Sequence, residues 1–346
     1  MTGATLYPML TIAHRPFGAS SPVKVGQRWP SLTSGSRKLM CLLWPICLAM
    51  FGTLTALAQP STIEQKQLMM QRWKVKPVAH PRPYQTWQSD AEYNQDLRTL
   101  TQKFKQFGPK RHLPTVELFR AIATSFAGTP YRAGMLDLNK AERPVFYLSH
   151  LDCITLMDNS LALTLAIQQG KMTLDGFMAA LETVRYRDGH CNGYASRLHY
   201  ATDWFYDLDR RGFATEISQQ LGGIVHTQKC CLISGCDAKT SGRDSLQLAM
   251  RQVEAAINKR PSYFLSFPLA ERHFDSLRTG DIIGFTSFSP GLDVRHVGMI
   301  IRQEGKPFVL HASSDRGRAE IGFASLDNVL WVNNRKYSGL KVLRLR

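Results

Sequence analysis

The chain has 346 residues, 44% of them hydrophobic and 20% charged, and a formal net charge of +16. That length and apolar content suit a real buried core and exclude a highly charged, disordered polymer. The basic excess favours polyanionic surroundings and says nothing about fold; with no Lys/Arg block, RNA-binding signature or zinc-finger spacing, nucleic acid is not expected as the partner.

The first predicted element is an export signal. Arg37 and Lys38 precede an apolar run from Leu39 to Leu57 that ends in Ala56-Leu57-Ala58, a small-x-small pattern, so residues 1–58 read as a signal peptide with a long leader. A single membrane anchor is the competing reading, because the run is nearly long enough to span a bilayer; Pro45, Gly52 and the clean Ala-x-Ala ending weigh against it. Neither Cys41 nor Cys47 follows a lipobox. Removing the five basic and no acidic residues of positions 1–58 from +16 leaves about +11. Export also argues against nucleic acid, limits membrane contact to the signal segment, and leads us to expect the periplasm or cell envelope as the location.

Residues 59–112 form an N-terminal extension: a Pro-rich stretch (Pro77, Pro81, Pro83), then an amphipathic helix with Tyr93, Leu97, Leu100, Phe104 and Phe107 on one stripe, stopped by Gly108-Pro109. Residues 113–346 read as the main domain. Helices are predicted over Thr115 to Ala127, from Asp152 (as N-cap) to Gly170, near Thr173 to Arg187, over Tyr194 to Arg210, and over Leu246 to Ile257. After Gly280 the pattern turns to short strands: Asp281 to Phe285, His296 to Arg302, Phe308 to Ala312, and Leu340 to Leu345. Helices followed by an antiparallel sheet make an α+β domain.

Five cysteines follow the signal: Cys153, Cys191, Cys230, Cys231 and Cys236. With Cys153 set aside, the other four can pair in three ways, and adjacent Cys230 and Cys231 are expected to take different partners. A metal site from His226, Cys230, Cys231 and Cys236 matches no familiar zinc spacing, so no metal and no cofactor is expected.

Cys153 falls at the first position of its predicted helix, where unpaired N–H groups and the helix dipole favour a thiolate. The negative charge of Asp152 opposes this unless its oxygens are occupied in capping the helix. The plain alternative is an ordinary half-buried thiol or one half of a disulfide. A thiol nucleophile needs a base and a group that orients the base. His296 alternates with Gly298 and Ile300 on one face of its strand, and His311 ends the following strand; the short turn at Gly305 makes the strands hairpin neighbours, so one imidazole can reach the other.

Gly128-Thr129-Pro130-Tyr131, Leu151-Asp152-Cys153, Gly280-Asp281-Ile282-Ile283 and His296-Val297-Gly298, in that order, resemble the landmarks of the NlpC-type cell-wall cysteine peptidases, a papain-like α+β fold. Arg185-Tyr186-Arg187-Asp188-Gly189, Ser196-Arg197-Leu198-His199-Tyr200 with Asp203-Trp204, Gly291-Leu292-Asp293 and His311-Ala312-Ser313-Ser314 are similar to the branch described as N-acetylmuramoyl-L-alanine amidase-like. The resemblance runs from about Leu113 to Arg344 and leaves out the signal, the Pro-rich lead-in and the Cys230-Cys231 segment, which looks like a local insertion.

This resemblance implies Cys153 as nucleophile, His296 as base and then acid, His311 as the orienting residue, and Tyr131 as a hydroxyl beside the thiol that supports the oxyanion. It implies a peptidoglycan or muropeptide substrate cut between N-acetylmuramic acid and L-alanine. A γ-D-glutamyl-diaminopimelate endopeptidase, or a wall-binding protein with an inert site, are the alternatives. Arg197 and Tyr200, read as sharing a helical face with His199 pointing elsewhere, are substrate-binding candidates, as are Asp152, Ser313 and Ser314 along the cleft. Asp293 is a candidate for positioning the loop before His296. The oligomeric state is left open.

Overall fold

The computed structural model describes residues 88–138, 141–236 and 242–346. The signal segment, the Pro-rich lead-in and the Leu39 to Leu57 run lie outside these residues. Among the described residues no helix is long and apolar enough to cross a membrane.

The first helix, α1 (Asp90–Phe107), starts where Ser89 and Glu92 form a reciprocal capping box and ends at Gly108 before Pro109. It buries Tyr93, Leu100 and Phe107, the stripe expected from the sequence. Next come α2 (Thr115–Thr124), α3 (Cys153–Gln168), α4 (Leu174–Arg185, capped by Thr173) and α5 (Ala201–Arg210). Helix α3 is buried on nearly every side, so it has no single apolar stripe. Its polar residues are matched internally: the Asp158 carboxylate takes the Arg185 guanidinium at 2.7 Å, Asn159 donates to the Tyr147 carbonyl at 3.0 Å, and the Ser160 and Thr164 hydroxyls bond back one turn.

Among the described residues the sheet has eight strands: β1 (Ala214–Glu216), β2 (Ile224–Val225), β3 (Tyr263–Ser266), β4 (Ile282–Ser287), β5 (Val294–Gln303), β6 (Lys306–Ser313), β7 (Arg318–Ile321) and β8 (Tyr337–Leu345). Their order is β2-β3-β8-β4-β5-β6-β7, with β1 paired to the same β8, and every pair is antiparallel. Between the sheet strands the chain adds α6 (Leu232–Cys236), α7 (Asp244–Lys259), α8 (Phe267–Arg272) and α9 (Leu326–Val332). The fold is α+β, as the run of helices before strands indicated.

The period-2 alternation of β5 decides which side each residue serves. Val297 and Met299 join the core shared with α2–α5, while Ile300 joins a second core with Leu326 and Leu330 of α9 and Ala270 of α8. His296 has the parity of Gly298 and Ile300, and His311 that of Val309, so both histidines rise on the α9 side of the sheet near its end.

Two sequence expectations are corrected here. The predicted helix over Tyr194 to Arg210 is continuous only from Ala201: residues 194–196 make one 3-10 turn, and Arg197 is extended and bridges Tyr186. Gly193 at φ 76° and the pull of a buried ion pair on Arg197 override the helical pattern. The expected cysteine pairing is not made by Cys191, Cys230 or Cys231, which carry free thiols; the Cys236 side chain lies outside the described set. The segment is held instead by backbone bonds, with Cys230 bridging Gly291 and the Cys231 N–H donating to the Gly291 carbonyl at 3.1 Å.

Candidate active site

Asp152 and Leu151 set the start of α3. The Asp152 carboxylate accepts from the Thr155 N–H at 2.8 Å and the Thr155 hydroxyl at 2.7 Å, while the Thr155 hydroxyl accepts from the Asp152 N–H at 2.8 Å. The N-cap expected from the sequence is therefore in place, and Cys153 is the first helical residue. Its thiol is free and half-buried, and the N–H groups of Val297, Ile154 and Cys153 itself bear on the sulfur. Those three donors favour the thiolate, yet burial and the Asp152 charge outweigh them and push the Cys153 thiol up to about 12. The expected helix-tip activation is thus present as geometry and outweighed as energy.

Tyr131 reaches the same point from another part of the chain. Segment 128–131 is clamped between the rim of β7 and residue 151: Gly128 N–H donates to the Ala319 carbonyl at 2.7 Å, Tyr131 N–H to the Gly317 carbonyl at 2.8 Å, and Leu151 N–H to the Pro130 carbonyl at 2.9 Å. The phenol lies within electrostatic reach of Asp152 and Cys153, and with burial they hold it protonated, pushed up to about 12. It is a hydroxyl donor at neutral pH.

His296 and His311 meet across β5 and β6. His296 Nε2 and His311 Nδ1 are 2.7 Å apart, with the rings nearly perpendicular at 4.9 Å between centroids. The β5–β6 ladder pairs Met299 with Leu310 and Ile300 with Val309, so the two histidines are offset along the strands, not opposite one another. The ring of His296 also packs on Phe285, which faces Tyr337 in turn. The β4–β5 ladder shifts register between Phe285 and Thr286, the sort of bulge that re-aims a side chain at a sheet end. Burial, and then the His311 charge, lower His296 to about 3, and burial lowers His311, so both rings are neutral at pH 7.

Gly298 is what lets the rings meet. A Cβ there would lie 2.5 Å from Val309 Cγ1, 2.8 Å from the Leu310 carbonyl oxygen and 3.3 Å from His311 Cβ. The carbonyl belongs to the sheet and cannot yield without opening β5 from β6. Gly298→Ala is expected to cost about 1–3 kcal/mol by overpacking, lower the melting temperature by several degrees, and cut activity by separating the imidazoles. An unchanged melting temperature with full turnover would show that the strands absorb the methyl group freely.

Cys153 and His296 line one cleft of about 250 Å³, together with Asp137, Asp152, Arg197 and His199 among others. A second cavity of about 460 Å³ opens beside the histidine pair and is lined by His311, Ser313, Ser314, Glu320 and Tyr337, among others. Ser313 is buried and its hydroxyl accepts from the Arg316 N–H at 3.1 Å; Ser314 is exposed and leans toward Asp315 at 3.4 Å. These two serines border the His311 cavity and not the cleft of Cys153. Asp293 performs the positioning anticipated for it: its carboxylate accepts from the Thr202 N–H at 2.8 Å and ties the β4–β5 loop to α5.

The other two substrate candidates come out differently. Arg197 does border the cleft, but it is buried and spoken for, paired with Asp137 and donating to the Leu136 carbonyl at 2.8 Å. Tyr200 lies off the cleft: its hydroxyl donates to Glu254 at 2.6 Å and accepts from the Ile233 N–H at 3.0 Å, joining α6 to α7. The helical face that would point both at substrate does not form in this segment. Sequence reasoning also missed Arg185 and Asp158, a buried ion pair on the cleft wall. Their signal was an Asp inside an apolar helix, a residue that survives burial only when paired. Among the described residues no group of three or more His, Cys, Asp or Glu side chains is placed to hold a metal ion.

Comparison with solved structures finds an N-acetylmuramoyl-L-alanine amidase from Bacteroides uniformis, 27% identical, over 67% of this chain and 99% of that one, with a TM-score of 0.62. A protein from Bacteroides fragilis described as a putative xylanase is 30% identical over 65% of this chain and 100% of that one, TM-score 0.61. A Legionella pneumophila protein at 17% identity, over 75% of this chain and 97% of that one with a TM-score of 0.56, shares the fold alone. No curated protein matches the chain in sequence. The sequence profile of one family matches residues 121–334, more than half of the chain, and the chain therefore belongs to the N-acetylmuramoyl-L-alanine amidase-like family.

Proposed function

We propose that the protein is an exported cysteine amidase that hydrolyses the bond between the lactyl group of N-acetylmuramic acid and L-alanine in peptidoglycan fragments. The observation that carries this reading is one cleft holding a free helix-tip thiol and a histidine whose Nε2 is tied to a second histidine. Membership of the N-acetylmuramoyl-L-alanine amidase-like family supports an amide of peptidoglycan as the substrate class.

In this mechanism the thiol is protonated at rest, because burial and Asp152 disfavour its charge, so a base must take the proton as the sulfur attacks. The mechanism takes the tautomer in which His296 Nε2 donates to His311 Nδ1 across their 2.7 Å contact, which leaves the His296 Nδ1 as the acceptor. The sulfur bonds to the lactyl carbonyl carbon, and the developing oxyanion takes hydrogen bonds from the Cys153 N–H and the Tyr131 hydroxyl; one such fixed donor is worth roughly 3 kcal/mol. His296 passes its proton to the alanine nitrogen as the C–N bond breaks. Water then attacks the thioester, giving its proton to His296, and the sulfur departs and recovers that proton.

A glycosidase, the activity in the description of the Bacteroides fragilis protein, needs two available carboxyl groups flanking the sugar bond. The cleft's aspartates are occupied: Asp137 with Arg197, Asp152 in capping α3, and Asp158 with Arg185. Mass spectrometry of digested muropeptides tests the reading. Free stem peptide with an intact N-terminal L-alanine, plus the matching sugar, is the expected result; a stem shortened after D-glutamate would assign the endopeptidase activity instead, and no cleavage at all would leave a wall-binding protein.

A further inference from the structure

The loop over residues 194–199 brings to the cleft a group that the mechanism above does not use. The His199 ring stacks on Tyr194 with 4.3 Å between centroids, and its Nε2 is 2.7 Å from the Tyr194 carbonyl oxygen. A carbonyl only accepts, so Nε2 carries the ring proton and Nδ1 keeps a lone pair. Among the described residues nothing donates to that lone pair, and the imidazole lines the same cleft as Cys153 and His296. The ring is held neutral: burial, and then the neighbouring Arg197 charge, lower it to about 3.

We infer that His199 Nδ1 is a substrate-binding acceptor that takes an uncharged N–H of the muramyl-peptide, one of its amides. This rests on the amidase reading and deepens it. Charge selects the kind of donor. The Arg197 guanidinium beside the Tyr194 ring, 5.0 Å from it, is already paired with Asp137, so the neutral imidazole has no net charge beside it to attract an ammonium, and an amide N–H is the matching donor. The Tyr194 carbonyl and the Tyr194 ring fix the imidazole in advance, so little order is lost when the substrate bonds to it.

The test measures binding without turnover. A muropeptide is titrated calorimetrically into Cys153→Ala, Cys153→Ala/His199→Ala and Cys153→Ala/His199→Gln, each checked for folding by circular dichroism. Losing one neutral hydrogen bond is expected to weaken binding about tenfold in the alanine variant, and glutamine, which retains an acceptor, is expected to recover part of it. Equal affinity in all three overturns the assignment of His199 while the amidase reading stands. Cys153→Ala that binds no muropeptide sinks both together, and a glutamine variant as weak as alanine rejects the acceptor role.

Discussion

Cys153→Ala yields a folded protein whose amide hydrolysis falls by on the order of 10⁴-fold or more, the cost seen when a catalytic nucleophile is removed. The fold has little reason to notice the change. Helix α3 is started by Asp152 and Thr155 and not by the thiol, the thiol is in no disulfide, and alanine is a good helix former. The melting temperature should stay within a few degrees of the parent. Turnover of muropeptides is the decisive readout, and near-native rates would sink the proposed chemistry. Iodoacetamide gives an independent measure: because the thiol is held protonated, alkylation of Cys153 should be slow at neutral pH and faster as pH rises, and loss of turnover should follow the addition of one carbamidomethyl group there. Exposed Cys231 and half-buried Cys191 are further acceptors, so the label is located by peptide mapping.

The parts of this site that local pattern determines were readable in the sequence. The N-cap at Asp152 depends on residues three apart, and the sidedness of His296 depends on strand alternation; both are short-range and both hold in the structure. The α+β class follows from the order of elements. Residues 194–200 escaped because their conformation is set by long-range partners: Arg197 by Asp137, sixty residues earlier, and Tyr200 by Glu254, fifty-four later. Helical spacing over that segment places Arg197 and Tyr200 toward substrate and turns His199 away, and the observed backbone, helical only from Ala201, reverses the outcome for Tyr200 and His199. Strands β1, β2, β3 and β7 are two to four residues long and carry no countable period. Energetics were harder still, since Cys153 at a helix tip suggests a ready thiolate and only the burial around it shows the opposing cost.

The histidines should separate by size of effect. In the proposed mechanism His311 acts only through His296, so His296→Ala removes the base, whereas His311→Ala leaves a base that is poorly held. In a serine triad the nucleophile or base is worth about 10² more than the orienting group, and a similar gap is expected here in kcat with circular dichroism unchanged. The opposite order would mean that the roles are exchanged. Acidity offers a second check on the parent enzyme. The working form of His296 is neutral, and a lowered pKa keeps it neutral as pH falls below the ordinary histidine value, with loss only on approach to about 3. The His296 ring should therefore add no acid limb to kcat/KM between pH 6.5 and 5, and burial moves any limb from His311 below the ordinary histidine value; a limb centred near 6.5 would mean that water reaches the rings and that the buried pair of imidazoles does not persist during turnover.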